Sequence, residues 1–121
     1  MSASHAGAVS AIALQLLESL DHYAAETRQF AVGGVDPEAY HRLRLRLDEM
    51  RRYALAVPGL SVAWVELLIR HFELAHARWK VEQGDGDLEV LAPIVQVHQA
   101  ALQALRTGCL HVLRQDLPAG P

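Results

Sequence analysis

The sequence has little of what marks several common classes of protein. Cys109 is the only cysteine in 121 residues, which excludes an internal disulfide and fits a reducing compartment such as the cytosol. Acidic residues outnumber lysine and arginine by 14 to 11, so no general positive charge attracts nucleic acid. No apolar run approaches the roughly 20 residues that cross a bilayer. We therefore expect a cytoplasmic protein that has no membrane partner and for which nucleic acid is a poor candidate partner.

The motifs of common catalytic sites are also missing. The sequence has no glycine-rich phosphate loop, no Cys-x-x-Cys and no Ser-His-Asp set with supporting context. Cys109 falls on the apolar side of its predicted helix, where a thiol behaves as a small hydrophobe rather than as a nucleophile. The first 17 residues have no basic region before their mildly apolar stretch, so we do not expect a secretory signal. We expect no enzymatic activity and no cofactor.

Glycine and proline divide the chain into four long segments whose apolar residues repeat at helical spacing. Asp36 and Pro37 are typical of a helix cap and a first helical residue. Short loops between long helices favour antiparallel neighbours. The sequence therefore predicts one all-α domain, an up-down-up-down antiparallel four-helix bundle. Its helices are expected at about 6–32, 37–57, 61–82 and 88–116, followed by a frayed tail at 117–121.

Pro93 lies inside the fourth predicted segment. Proline in a helix interior removes a backbone hydrogen bond and clashes with the carbonyl four residues earlier. We therefore expect helix 4 to be interrupted at Pro93 or to start near it.

Helix 3 is apolar on more than one side. Its main stripe, taken as the side that faces the core, contains Val65, Leu68, Ile69, Phe72, Ala75 and Trp79. A second line contains Ala63, Leu67, Leu74 and Val81, with Trp64 between the two. Because a helix of a monomeric bundle needs one apolar stripe, the second line predicts either a central position within the monomer or an interface. The interface reading, with anchors Trp64, Leu67 and Leu74, favours a homodimer, the commonest soluble assembly.

The seven histidines raise the possibility of a metal site. Glu73 and His76 have the Glu-x-x-His spacing of di-iron bundles, and His98 on helix 4 is predicted within about one helical turn of them. A buried hydrogen-bonded contact is the alternative, because buried polar groups require partners. His22, His41, His71 and His111 are interpreted as surface residues.

Five of the eleven lysine and arginine residues lie between Arg42 and Arg52 on helix 2. Interleaved acidic residues favour internal pairing on a solvated face. Contact with an acidic partner, through side chains such as Arg44 and Arg51, is a second interpretation. A phosphate or nucleic-acid surface is a third.

Together these features favour a small non-enzymatic interaction protein. It would be an adaptor or regulator that sequesters or chaperones a partner through helix 3, acting with itself as a homodimer or with another protein. The interface residues would be Trp64, Leu67, Leu74, Arg44 and Arg51. The alternative is a bundle that binds a metal or a small ligand through Glu73, His76 and His98.

Overall fold

The computed structural model describes the backbone of residues 2–33 and 36–115 and the side chains of residues 7–33 and 36–115. The predicted tail at 117–121 and the predicted end of helix 4 at 116 lie outside the described residues. Over the described ranges the chain is helical, without strands, and forms a helical bundle as predicted. The four helices are α1 (Ser2–Val32), α2 (Pro37–Ala56), α3 (Ser61–Glu82) and α4 (Leu91–Gln115), and a short 3-10 turn (Leu88–Val90) precedes α4.

Local sequence explains where α2 and α4 begin. Asp36 caps α2 by accepting a hydrogen bond from the backbone N–H of Glu38 at 3.1 Å, and Pro37 is the first helical residue. Both predictions for this helix start are confirmed. Helix α4 begins at Leu91, so Pro93 lies in its first turn, where a backbone N–H has no partner within the helix. The predicted start of helix 4 near Pro93 is confirmed.

The helices pack unequally. Helix α1 packs closely on α2 and on α4, and α3 packs closely on α4, whereas α2 and α3 contact each other much less. On α1, Glu26 pairs with Arg46 of α2 and Phe30 with Tyr40, so residue numbers rise on one helix as they fall on the other. This is the order that an antiparallel arrangement requires. The bundle is therefore least closed between α2 and α3.

The apolar residues that repeat at helical spacing on α1 and α2 form most of the core on these helices. Leu16, Leu20 and Tyr23 on α1 are fully buried, as are Met50 and Ala54 on α2. On α4, Val97 is exposed although it lies at helical spacing from the buried residue Ala101. The buried residues of that helix are Leu91, His98, Ala101, Leu102, Leu105 and Cys109.

The assignment of the two faces of helix 3 was reversed. The side that faces the core contains Trp64, Leu67, His71, Leu74 and Arg78, all buried. The three predicted interface anchors therefore belong to the core of the monomer. The stripe predicted as core is exposed over much of its length: Val65, Ile69, Phe72 and Trp79 each keep between 49% and 55% of their surface.

The reversal has a physical cause in the two polar residues of the buried face. Arg78 donates to the backbone oxygen of Phe30 at 3.3 Å, to the backbone oxygen of Gly33 and to a carboxylate oxygen of Glu82 at 3.2 Å. Two of these acceptors lie at the C-terminal end of α1, where backbone carbonyls lack helical partners. A buried guanidinium with several acceptors is tolerated in a core. His71 is satisfied in part by a side chain of α1, described next.

Candidate functional site

A hydrogen-bonded triad of one tyrosine and two histidines lies in the core. The hydroxyl oxygen of Tyr23 on α1 is 2.7 Å from Nδ1 of His71 on α3 and 2.7 Å from Nε2 of His98 on α4. All three side chains are buried. The tyrosine ring centroid is 5.8 Å from that of His71 and 5.6 Å from that of His98. One hydroxyl group thus links three of the four helices.

Burial keeps this triad uncharged. Removal from water lowers the pKa of His71 from 6.5 to about 4. Repulsion from His98, when that ring is protonated, lowers the pKa of His71 further. Removal from water also lowers the pKa of His98 from 6.5 to about 4. The pKa of Tyr23 is raised above its usual value by the same cause. At neutral pH the triad therefore supplies hydrogen bonds rather than charge.

The direction of the hydrogen bond that the Tyr23 hydroxyl donates determines which ring nitrogen of each histidine carries the proton. A tyrosine hydroxyl donates one hydrogen bond, so it donates to one imidazole and accepts from the other. If it donated to His71, the proton of His71 would be on Nε2, a buried atom without a hydrogen-bond partner among the described residues. If the Tyr23 hydroxyl donates to His98 instead, Nε2 of His71 carries no proton and is an unpaired acceptor. Buried unpaired N–H groups are rarer than buried acceptors left short of a partner.

The favoured arrangement therefore runs in one direction. Nδ1–H of His71 donates to Tyr23, and the hydroxyl of Tyr23 donates to Nε2 of His98. The remaining proton of neutral His98 is then on Nδ1. We expect both histidines to be Nδ1–H tautomers at pH 7, which long-range ¹H–¹⁵N correlation spectra of the imidazole rings would establish. The Tyr23→Phe variant provides the control, because it removes the constraint on both rings. A proton on Nε2 of His71 in the unchanged protein would contradict the arrangement.

The three residues of the predicted metal set do not converge. Glu73 is exposed and accepts a hydrogen bond from Arg70 at 2.7 Å, and His76 is exposed and stacks on Trp79 at 6.2 Å between ring centroids. His98 belongs to the triad instead. Among the described residues, no group of three or more histidine, cysteine, aspartate or glutamate side chains is placed to hold a metal ion.

His98 lies on the buried side of α4, as the sequence predicts. His71, which the sequence analysis assigns to the surface, is buried, and the sequence indicates neither His71 nor Tyr23 as a polar partner of His98. A signal was present, because His71 lies four residues after Leu67 and three before Leu74, on the face that Trp64 begins. Reading that face as the core would have placed His71 inside.

The apolar surface that needs a partner is the other side of α3. We name it the α3 stripe and define it as Val62, Val65, Ile69, Phe72 and Trp79, all exposed. Beside it, a groove of about 510 Å³ opens where α2 and α3 are least closely packed. Its walls are formed by Phe30, Tyr40, Phe72, Ala75, His76 and Trp79.

Opposite charges flank the α3 stripe. On the α2 side, Arg44 and Arg51 are exposed, and neither forms an ion pair with any described residue. The expected pairing of the helix 2 arginines within that helix is limited to Arg46, which bonds Glu49 at 3.1 Å and also Glu26 of α1 at 2.9 Å. On the far side of the stripe, Glu66 and Glu73 share Arg70 between them. Two carboxylates on one guanidinium leave these three residues with a net negative charge.

The chain is thus an all-helical bundle protein with a neutral buried triad and an unpartnered apolar helix face between a basic and an acidic edge. No protein-family model, curated protein or solved structure matches it. Within the described ranges, none of the helices is both long and apolar enough to cross a membrane.

Proposed function

We propose that this protein is a non-enzymatic, cytoplasmic interaction protein that works as a homodimer through the α3 stripe. The free thiol of Cys109, fully buried in the core, agrees with a reducing compartment. The role would be that of an adaptor or regulator that sequesters or chaperones a partner protein. The single observation that supports the proposal most is the order of surface features: basic on α2, apolar on α3, acidic beyond it.

This order is self-complementary under one particular two-fold axis. If the axis runs parallel to the helices, each apolar stripe covers the stripe of the other copy. The basic edge of one copy then meets the acidic edge of the other, twice in the dimer. A large exposed apolar patch with a charged rim is the usual composition of an interaction site.

The same axis also brings the charges to matching heights. Arg44 and Glu73 lie equally far along the chain from the Pro58–Gly59 turn, on opposite sides of it. Arg51 and Glu66 also lie equally far from that turn. In a helical hairpin, residues equally distant from the loop lie at similar heights. A two-fold axis parallel to the helices therefore sets Arg44 opposite Glu73 of the second copy, and Arg51 opposite its Glu66.

Charge reversal tests this arrangement directly. We expect a dimer by sedimentation equilibrium, and we expect Arg44→Glu or Glu73→Arg alone to weaken it at least about tenfold, since each creates two like-charge contacts. The double variant should recover most of the lost affinity because it restores opposite charges in the reverse order. Phe72→Asp should give a folded monomer.

Arg42→Glu is the matched control. Arg42 is exposed on the same helix and carries the same charge, but it lies on the side of α2 away from the stripe, so its reversal should leave the dimer unchanged. A wild-type protein that is monomeric at every concentration would contradict the homodimer. A double variant no better than the single ones would contradict the proposed axis.

A further inference from the structure

A second and larger groove lies on the opposite side of the bundle, between α1 and α4. Its volume is about 1250 Å³, more than that of the α2–α3 groove. It extends from the C-terminal half of α1 to the N-terminal half of α4, with Leu74 of α3 and the ring of His98 among its lining residues. It does not overlap the α3 stripe, so a ligand and a second copy could bind together.

Small side chains on α1 create this space. Ala24 and Ala31 lie seven residues apart on the side of α1 that faces α4, and both line the groove. Residues two helical turns apart share a face, so along this line α1 presents only two methyl groups to the groove. The opposite wall contains Leu91, Val95 and Leu102. The interior is therefore largely apolar.

The polar groups of the groove favour one sign of charge. Arg28 lines it, is exposed and forms no ion pair with any described residue. The remaining polar lining is neutral, from Thr27 and from amides such as Gln99. No acidic side chain is among the described lining residues. The groove therefore suits a molecule that is apolar over most of its length and negatively charged at one end.

A second polar group of the groove belongs to the buried triad. His98 lines the groove while its Nε2 is held by Tyr23 at 2.7 Å. Its other ring nitrogen, Nδ1, has no hydrogen-bond partner among the described residues. In the favoured arrangement this nitrogen carries the proton, so it is a donor that is available to an acceptor bound in the groove. A carboxylate oxygen accepts such a bond, whereas an ammonium group cannot.

We propose that the α1–α4 groove is a binding site for an apolar organic acid of medium chain length, with its carboxylate between the Nδ1–H of His98 and the guanidinium of Arg28. The hydrocarbon part lies along Ala24 and Ala31 against the apolar wall of α4. The triad acts as the positioning element, because the proton of Tyr23 fixes which nitrogen of His98 donates. The lining of the site is mainly apolar with a few polar groups, as in most small-molecule pockets.

The experiment compares three probes that share a ten-carbon chain: decanoate, 1-decanol and decylamine. Each is titrated below its solubility and micelle limits against protein loaded with 1-anilinonaphthalene-8-sulfonate, and displacement of the dye is followed by fluorescence. We expect decanoate to bind most tightly and the donor-only decylammonium at least about tenfold more weakly. Decylamine binding as tightly as decanoate would overturn the proposal.

Variants of His98 separate its two nitrogens. His98→Asn places an amide donor near the position of Nδ1, whereas His98→Gln places one near Nε2 and leaves no donor at the position of Nδ1. We expect decanoate affinity to be retained better in His98→Asn than in His98→Gln. Equal affinity in two folded variants would overturn the role of Nδ1. In the unchanged protein, added decanoate should shift the ¹⁵Nδ1 resonance of His98 more than either nitrogen resonance of His71.

Two further variants keep the test decisive if changes at His98 prevent folding. Arg28→Ala, at an exposed position, should weaken decanoate severalfold and leave 1-decanol unaffected. Ala24→Leu should fill the groove and remove binding of both. Ala25→Leu is its matched control, since Ala25 is the next residue, is exposed and does not line the groove. Undiminished decanoate binding in Ala24→Leu would show that the acid binds elsewhere, which would overturn the site.

Discussion

Acidification from pH 7 to pH 4 is expected to lower the free energy of unfolding by several kilocalories per mole, through the triad of Tyr23, His71 and His98. Both histidines have their pKa lowered from 6.5 to about 4 in the folded protein. Between those two values the unfolded chain binds protons that the folded triad excludes. Stability therefore rises with pH across this window and is lost as the pH falls through it. Above about pH 7 the two histidines add no pH dependence, and below about pH 4 their effect is complete.

The size of the effect follows from the two pKa differences. One pKa unit corresponds to about 1.4 kcal/mol, so each histidine contributes on the order of 3 kcal/mol. Domains of this size have roughly 5–15 kcal/mol of stability in total. The two histidines together can therefore bring the bundle close to its unfolding midpoint at pH 4. Urea unfolding followed by circular dichroism at intervals between pH 4 and pH 8 measures the slope.

Acid also protonates carboxylates, so the contribution of the triad must be isolated. The triple variant Tyr23→Phe, His71→Leu, His98→Leu replaces the triad by apolar side chains and leaves no buried hydroxyl unpaired. Replacing buried polar groups together in this way is often neutral or stabilising, unlike removal of one partner. The variant should keep the carboxylate part of the pH dependence and lose the steep part between pH 6.5 and pH 4. His22→Gln, at an exposed position, should change nothing. A wild-type slope identical to that of the triple variant would contradict a neutral, buried triad.

Much of the fold follows from sequence alone because helix starts and apolar periodicity are local properties. The cap at Asp36 and the start of α4 near Pro93 are decided by a few neighbouring residues. The buried sides of α1 and α2 follow from stripes that have no apolar competitor on the same helix. In these cases the one-dimensional pattern contains all the information that the structure needs.

On helix α3 the apolar pattern alone does not identify the buried face. Two sets of residues repeat on it at the spacing of three and four, one through Trp64 and Leu67, the other through Val65 and Phe72. The first also contains His71 and Arg78, so hydrophobicity alone favours the second. The choice is decided on another helix, where Tyr23 and the backbone carbonyls at the end of α1 accept or donate the necessary hydrogen bonds. Partners that are distant in sequence cannot be read from periodicity.

The candidate site was predicted in part for the same reason. A face on α3 without a partner was expected from its surplus of apolar residues, and a surplus does exist, although on the opposite side. The exposure of Arg44 and Arg51 beside that face depends on the wide spacing of α2 and α3, which no local motif encodes. The groove between α1 and α4 depends on two alanines, whose small volume matters only once the neighbouring helix is in place.

Aspartate substitutions at two positions of α3, one on its buried face and one on its exposed face, are expected to differ greatly in the free energy of unfolding. Leu67 is fully buried, whereas Ile69 keeps 49% of its surface. In Leu67→Asp a carboxylate is forced into the core without a partner, which costs more than about 4 kcal/mol and is comparable to the stability of the whole domain. We expect that variant to lose cooperative unfolding. In Ile69→Asp the carboxylate remains in water, and the loss should be about 1 kcal/mol or less.

The comparison is made in urea at a protein concentration low enough for the unchanged chain to be monomeric. Under that condition loss of a dimer interface cannot contribute to the result for Ile69→Asp. The two variants have the same charge and the same added residue on the same helix, so net charge cancels between them and helix propensity differs by only about a few tenths of a kcal/mol. An equally stable pair would contradict the burial of Leu67. The reverse order, with Ile69→Asp unfolded and Leu67→Asp intact, would restore the face assignment that the sequence pattern favoured.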